Sequence, residues 1–83
     1  MIKGIRLTRG GILFVTDGLH TFAYTEKRGW SFAKMPYFVL EHDLATEPPE
    51  TWEYISEADV RSLPDGAYEE LLLLLEKANS TLS

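Results

Sequence analysis

The stretch ILFVTDGLHTFAYTEKRGWSF, residues 12–32, decides the fold. Its segments "ILFVT", "LHTFAYT" and "WSF" are rich in β-branched and aromatic side chains, which fit a pleated surface. Asp17-Gly18 parts the first two. That dipeptide between alternating apolar runs predicts a two-residue type I′ hairpin, because both central residues must take positive φ. Glu26 to Gly29 makes a longer turn with glycine at its end. Upstream, "IKGIRLT" (residues 2–8) is set off by Arg9-Gly10-Gly11. Connections this short force antiparallel neighbours, since a parallel crossover needs about a dozen residues. The sequence therefore predicts an antiparallel meander of 4–5 strands within residues ~2–40.

Both faces of that meander carry apolar groups. Alternation sends Leu13 and Val15 to one side and Ile12 and Phe14 to the other. In the next strand His20, Phe22 and Tyr24 share one face, while Leu19, Thr21 and Ala23 share the opposite one. A sheet with two apolar faces needs two covers. The sheet closes partly into a barrel, or residues 36–55 cover the second face, or another chain does.

Residues beyond the meander supply helices. Pro36 opens a new segment, and Tyr37 to Leu40 fit either a fifth strand or a buried crossover. Pro48-Pro49 favours an extended path, and "TWEYI" (residues 51–55) alternates well enough to pair with a sheet edge. Ser56 with Asp59 three residues on resembles a capping box with Asp in place of Glu, so a short helix starts there and stops before Pro64. Ser62 or Asp65 can cap a C-terminal helix over ~64–79 with Pro64 in its first turn. The expected class is α+β, a single domain of 83 residues.

That last helix contains five consecutive leucines, Leu71 to Leu75. Advancing about 100° per residue gathers Tyr68, Leu71, Leu72, Leu74, Leu75, Ala78 and Leu82 on one broad face. Glu69, Glu70, Glu76 and Lys77 form the polar face, and Leu73 falls in its middle. Four of the leucines therefore belong to a buried face. Leu73, framed by Glu69, Glu76 and Lys77, is the candidate contact with another chain, a homodimer being one form of it.

Composition narrows the chemistry. The net charge is −5, with no cysteine. Disulfides, thiolate nucleophiles and Cys-based zinc sites are excluded together, and a disulfide-free domain suits a reducing cytoplasm. No apolar run approaches the ~20 residues that cross a bilayer. The charge is unevenly spread. Residues 1–40 hold six cations against two carboxylates, a balance of +4, while residues 41–83 hold two cations against eleven carboxylates, a balance of −9. One half is a basic sheet and the other an acidic rim.

Motifs for phosphate cradling, nucleophile elbows and paired-histidine metal sites are absent from the sequence. Glu41-His42-Asp43 is the most reactive-looking triplet. On a strand these neighbours diverge and cannot converge on one atom, although in a loop they can. Neither a metal nor a cofactor is expected, and the expectation is a non-enzymatic protein that acts through surface contacts. Two other readings follow from particular residues. Lys27, Arg28, Trp30, Phe32 and Lys34 combine cations with sheet aromatics, the pattern by which single-stranded nucleic acid is stacked and tracked. The sequence pI of about 4.9 weighs against it, because phosphate neutralisation supplies most non-specific affinity. The acidic second half also suits a phage-type inhibitor whose carboxylates occupy the phosphate-binding surface of a nucleic-acid enzyme.

Overall fold

Four strands follow one another as the turns require: β1 (Lys3–Leu7), β2 (Leu13–Thr16), β3 (Thr21–Thr25) and β4 (Gly29–Phe32). The computed structural model describes residues 2–80. Helix α1 (Tyr37–Leu44) and a single 3₁₀ turn (Pro49–Thr51) lead to β5 (Trp52–Ile55), followed by α2 (Glu57–Arg61) and α3 (Ala67–Ser80). The five-stranded sheet is antiparallel throughout, in the order β4-β3-β2-β1-β5. The class is α+β, as expected.

Some details differ from the sequence-based expectation or settle what it left open. Residues 37–44, which fitted either a fifth strand or a buried crossover, are a helix, so the fifth strand lies outside residues 2–40. Strand β5 takes that place by pairing with β1, Gly4 opposite Ile55 and Leu7 opposite Trp52. Pro36 explains the helix: its carbonyl accepts the N–H groups of Val39 and Leu40 at 3.1 Å each, so the chain turns helical directly after it.

The β2–β3 connection also differs. Thr16 pairs with Thr21, which leaves four residues in the loop rather than two. Gly18 takes φ 105°, but Asp17 is not among the positive-φ residues, so the turn is not type I′. Instead the Asp17 carboxylate accepts the N–H groups of Leu19 and His20 at 2.9 and 2.8 Å. Such an aspartate turn competes with the tighter hairpin. Partial burial opposes ionisation of Asp17, but the two N–H donors and the Asn79 amide outweigh it and hold its carboxyl below the usual range. Asn79 thereby ties the end of α3 to this loop.

Register places the side chains in cross-strand rows. Ile55, Gly4, Val15, Phe22 and Phe32 form one row, and Tyr54, Ile5, Phe14, Ala23 and Ser31 form the adjacent row on the opposite face. The first face carries the main core. There Leu13, Val15, Phe22, Tyr24 and Ile55 meet Val60 of α2 and Ala67, Leu71, Leu75 and Ala78 of α3. The second face is covered by α1, through Ile5, Tyr37 and Leu44, with Leu7, Leu40 and Trp52 packed around them. Residues 36–55 thus supply the second cover, as one of the three alternatives required.

The capping box at α2 is present: Ser56 N–H donates to Asp59 Oδ2 at 3.0 Å, and Asp59 N–H donates to Ser56 Oγ at 3.4 Å. Helix α3 starts three residues after Pro64, not on it. Asp65 and Gly66 both take positive φ (58° and 71°), which is not helical, and the Gly66 carbonyl accepts the N–H of Glu70. Ser62 does not cap α3 either; its hydroxyl donates back to the Asp59 carbonyl at 2.7 Å.

The leucine run needs one correction. Leu71 is fully buried and Leu75 nearly so, Leu74 is half-buried, and Leu73 is 67 % exposed as expected. Leu72, placed on the buried face by the helical arithmetic, is 42 % exposed. The buried arc of Ala67, Leu71, Leu75 and Ala78 is centred near Leu71, and Leu72 lies about 100° from that centre. Burying Leu72 would take a neighbour beside α3. Helix α2 is only five residues long and reaches α3 at Tyr68, whose hydroxyl donates to Glu57 at 2.9 Å. Leu82 lies outside the described residues.

Candidate functional site

Incomplete cover of the second face defines the first candidate surface. Helix α1 packs on β1 and β5 through Tyr37, Leu40 and Leu44, while Phe14 and Ala23 on the β2–β3 side of that face stay partly exposed. Between α1 and the β2–β3 loop lies a cleft of about 290 Å³, walled by Lys3, Thr16, Thr21, Tyr37 and Glu41. Leu19 and Phe38 stand on its rim, 77 % and 72 % exposed. Met35, just before α1, and Tyr54, on the same sheet face, are exposed as well. Large apolar groups gathered in this way are uncommon on a monomer surface and mark contact sites.

Electrostatics of this face centre on two tyrosines. The Tyr54 hydroxyl donates to Glu41 Oε2 at 2.9 Å, and this bond raises the tyrosine's pKa. Tyr37 is buried, with the Lys3 ammonium 5.1 Å from its ring centroid. Among the described residues its buried hydroxyl has no hydrogen-bond partner. Burial first, then the charges of Glu41 and Tyr54, push the Tyr37 pKa up from 10.0 to about 12.

That orphaned hydroxyl gives a prediction. Tyr37→Phe removes a buried group whose missing partner costs about 1–3 kcal/mol, so the variant melts at or above the parent's temperature. The parent also has an alkaline weakness. A tyrosine with a raised folded pKa contributes fully below pH 10, and that contribution is lost as pH climbs from 10 towards 12. Urea melts at neutral and alkaline pH therefore show a smaller alkaline loss for Tyr37→Phe than for the parent. A neutral-pH loss above about 1 kcal/mol would mean that the hydroxyl has a partner after all.

The triplet Glu41-His42-Asp43 lies on α1, neither on a strand nor in a loop. Successive side chains there fan out by about 100°, so the three still do not converge. Glu41 is held by Tyr54, while His42 and Asp43 are exposed. His20 lies in the β2–β3 loop, beside Asp17, with Nδ1 to Oδ2 at 3.9 Å. Among the described residues no three histidine, cysteine, aspartate or glutamate side chains are grouped to hold a metal ion.

The five residues of the basic, aromatic set do not form one platform. Trp30 packs under α3, its indole N–H donating to the Ala67 carbonyl at 2.8 Å and its ring tilted against Tyr24 with centroids 4.9 Å apart. Phe32 is 65 % exposed beside Phe22, at a centroid distance of 4.7 Å. Lys27 and Arg28 lie in the β3–β4 turn. They line an open groove of about 820 Å³ with Arg6, Leu13, Tyr24 and Pro64. Lys34 follows the end of β4 and is exposed. Of the candidate partner residues on α3, Glu69, Leu73, Glu76 and Lys77 are all exposed, so they form an outward helix face.

The sequence reading missed the α1 face. Its signal was Phe38 within "PYFVL", an aromatic two residues after a proline, which periodicity alone could not orient. No helix among the described residues is long and apolar enough to cross a membrane. Compared with known protein families, curated proteins and solved structures, the chain matches none.

Proposed function

We propose that this chain is a non-enzymatic, cytoplasmic protein-binding domain that meets its partner through the α1 face. One observation carries the reading: Leu19 and Phe38 stand exposed on either side of a cleft in a sheet face that α1 covers only in part. Exposed aromatic and aliphatic anchors around a recess are where binding energy concentrates in protein interfaces. The neighbouring polar groups, Lys3, Glu41 and the Tyr54 hydroxyl, form the mixed rim such interfaces carry. A cysteine-free chain suits a reducing compartment.

The test is a photo-crosslinking amino acid placed at position 38, with position 70 as the control, in the native host. Glu70 is exposed on α3, away from the cleft. The expected result is one or a few discrete protein adducts from position 38 and none from position 70. A smear equal at both positions, or no adduct at 38, defeats the proposal. Leu73 is tested separately by sedimentation. Association of the parent that Leu73→Glu weakens tenfold or more would assign the contact to α3, since each 1.4 kcal/mol is about tenfold.

A further inference from the structure

We propose that the open edge of β4 receives an extended acidic segment of another protein as a sixth strand. Strand β4 ends the sheet, with only β3 beside it. The Ala33 N–H donates to the Thr21 carbonyl at 3.0 Å, and the same register sets Ala23 opposite Ser31 and Thr25 opposite Gly29. Antiparallel ladders alternate, so these are the hydrogen-bonded pairs and Phe22–Phe32 and Tyr24–Trp30 are not. The N–H and C=O groups of Trp30 and Phe32 therefore point away from β3, to the open edge. They form a row of two donors and two acceptors.

Edge strands of this kind are usually blunted by charge, proline or brevity. The opposite edge, β5, is preceded by Pro48-Pro49 and carries Glu53. Strand β4, at four residues, is as short as β5, but it reads Gly-Trp-Ser-Phe and carries neither charge nor proline. Addition of a strand to an exposed edge draws its affinity from main-chain hydrogen bonds and its specificity from alternate side chains. Exposed Phe32 supplies an apolar contact on that edge.

Charge identifies the occupant. Lys27 and Arg28 precede β4 and Lys34 follows it, against Glu26 as the single carboxylate between residues 18 and 40. All three cations are exposed, and none of the ion pairs among the described residues involves them. A segment with carboxylates flanking an apolar centre meets cations at both ends. A second copy of β4 does not fit as well. Antiparallel pairing of two β4 strands sets Lys27 and Arg28 of one chain towards Lys34 of the other, cation against cation. This site is separate from the α1 face. It rests on the protein-binding reading only in taking a protein as partner, and its test leaves Leu19 and Phe38 untouched.

The probe is a capped, fluorescent peptide of about ten residues with glutamates at both ends and valines and threonines between them, long enough to pair along one strand. Anisotropy is expected to report binding by the full chain that weakens as salt rises through the Debye-screening range, on the order of 0.05 to 0.5 M. Amide exchange is expected to slow at Trp30 and Phe32. Combined Lys27→Glu, Arg28→Glu and Lys34→Glu weakens binding about tenfold or more with little change in melting. Phe32→Pro, which removes an outward N–H and no ladder bond, weakens it too, whereas Phe32→Leu retains it. Four results overturn the proposal: no slowing of exchange at Trp30 and Phe32 under saturating peptide; equal binding by a polyglutamate of the same charge; tighter binding of oligothymidylate, which makes the edge a nucleic-acid contact; and self-association that Phe32→Pro abolishes and Phe32→Leu keeps, which makes the occupant a second copy. Should Phe32→Pro fail to fold, the exchange and charge-reversal results decide.

Discussion

Leu71→Glu is expected to leave the chain unfolded at room temperature, while Leu73→Glu, two residues away, is expected to keep the parent's melting temperature to within a few degrees. Leu71 is wholly enclosed between α3 and the sheet. Losing that burial costs roughly 2–3 kcal/mol. An unpaired carboxylate in the same place adds several kcal/mol more, or is protonated at comparable cost. A domain of this size holds only about 5 kcal/mol or little more in total. Leu73 is two-thirds exposed, and substitutions at such positions shift stability by about 0.5 kcal/mol or less. Leu72→Glu falls between the two, at about 1 kcal/mol, because part of its side chain rests on the helix flank. Thermal and urea melts of the three variants check this. If Leu72→Glu unfolds as fully as Leu71→Glu, α3 is rotated by roughly one residue from the facing described.

That leucine run shows where sequence arithmetic succeeds and where it stops. Helical phase alone identified Leu73 as outward and Leu71 and Leu75 as inward. It could not say how wide the buried arc is, because width depends on what lies beside the helix. Helix α2 is too short to shelter Leu72, and α2's length follows from Pro64 and the Ser56 box together. The strands were legible for a similar reason: alternation is local, and Leu13, Val15, Phe22 and Tyr24 fall on one face whichever turn joins them. The turn itself was not. Asp17-Gly18 suits a two-residue hairpin, but its carboxylate found two N–H groups further on and widened the loop to four.

Candidate surfaces were less legible than the fold. An apolar residue becomes a surface feature only when no other element reaches it, which is a tertiary fact. Phe38 and Tyr37 are adjacent, yet one is exposed and the other buried, and nothing local separates them. Likewise "GWSF" reads as a strand from propensity, but its place at the end of the sheet depends on β5 choosing β1 rather than β4 as its neighbour. Trp30 and Phe32 share a face, as alternation requires. Helix α3 then covers the first and leaves the second exposed, which splits the aromatic platform the sequence suggested.

Gly4→Val is expected to abolish folding, and Gly4→Ala to lower the melting temperature by many degrees. Gly4 is buried in β1, and its φ is not positive, so space and not backbone conformation is the constraint. A Cβ built there would lie 2.7 Å from the Phe14 carbonyl oxygen and 3.0 Å from Ile55 Cγ1. Ile55 can turn aside, but the carbonyl belongs to the β1–β2 ladder and can retreat only if the two strands part locally. Overpacking of this kind costs about 1–3 kcal/mol for one added carbon, and the two further methyl groups of valine increase the overlap. For a domain of this length, 1 kcal/mol moves the melting temperature by about 4–8 °C. The row that contains Gly4 joins Ile55, Val15 and Phe22 beneath α2 and α3, so displacing β1 also opens the main core. Circular-dichroism melts of Gly4→Ala and Gly4→Val against the parent measure the effect. A Gly4→Ala protein that melts with the parent would show that the β1–β2 ladder has slack at its centre. The rigid row across the sheet would then not be what sets the spacing of β1 from β2 and β5.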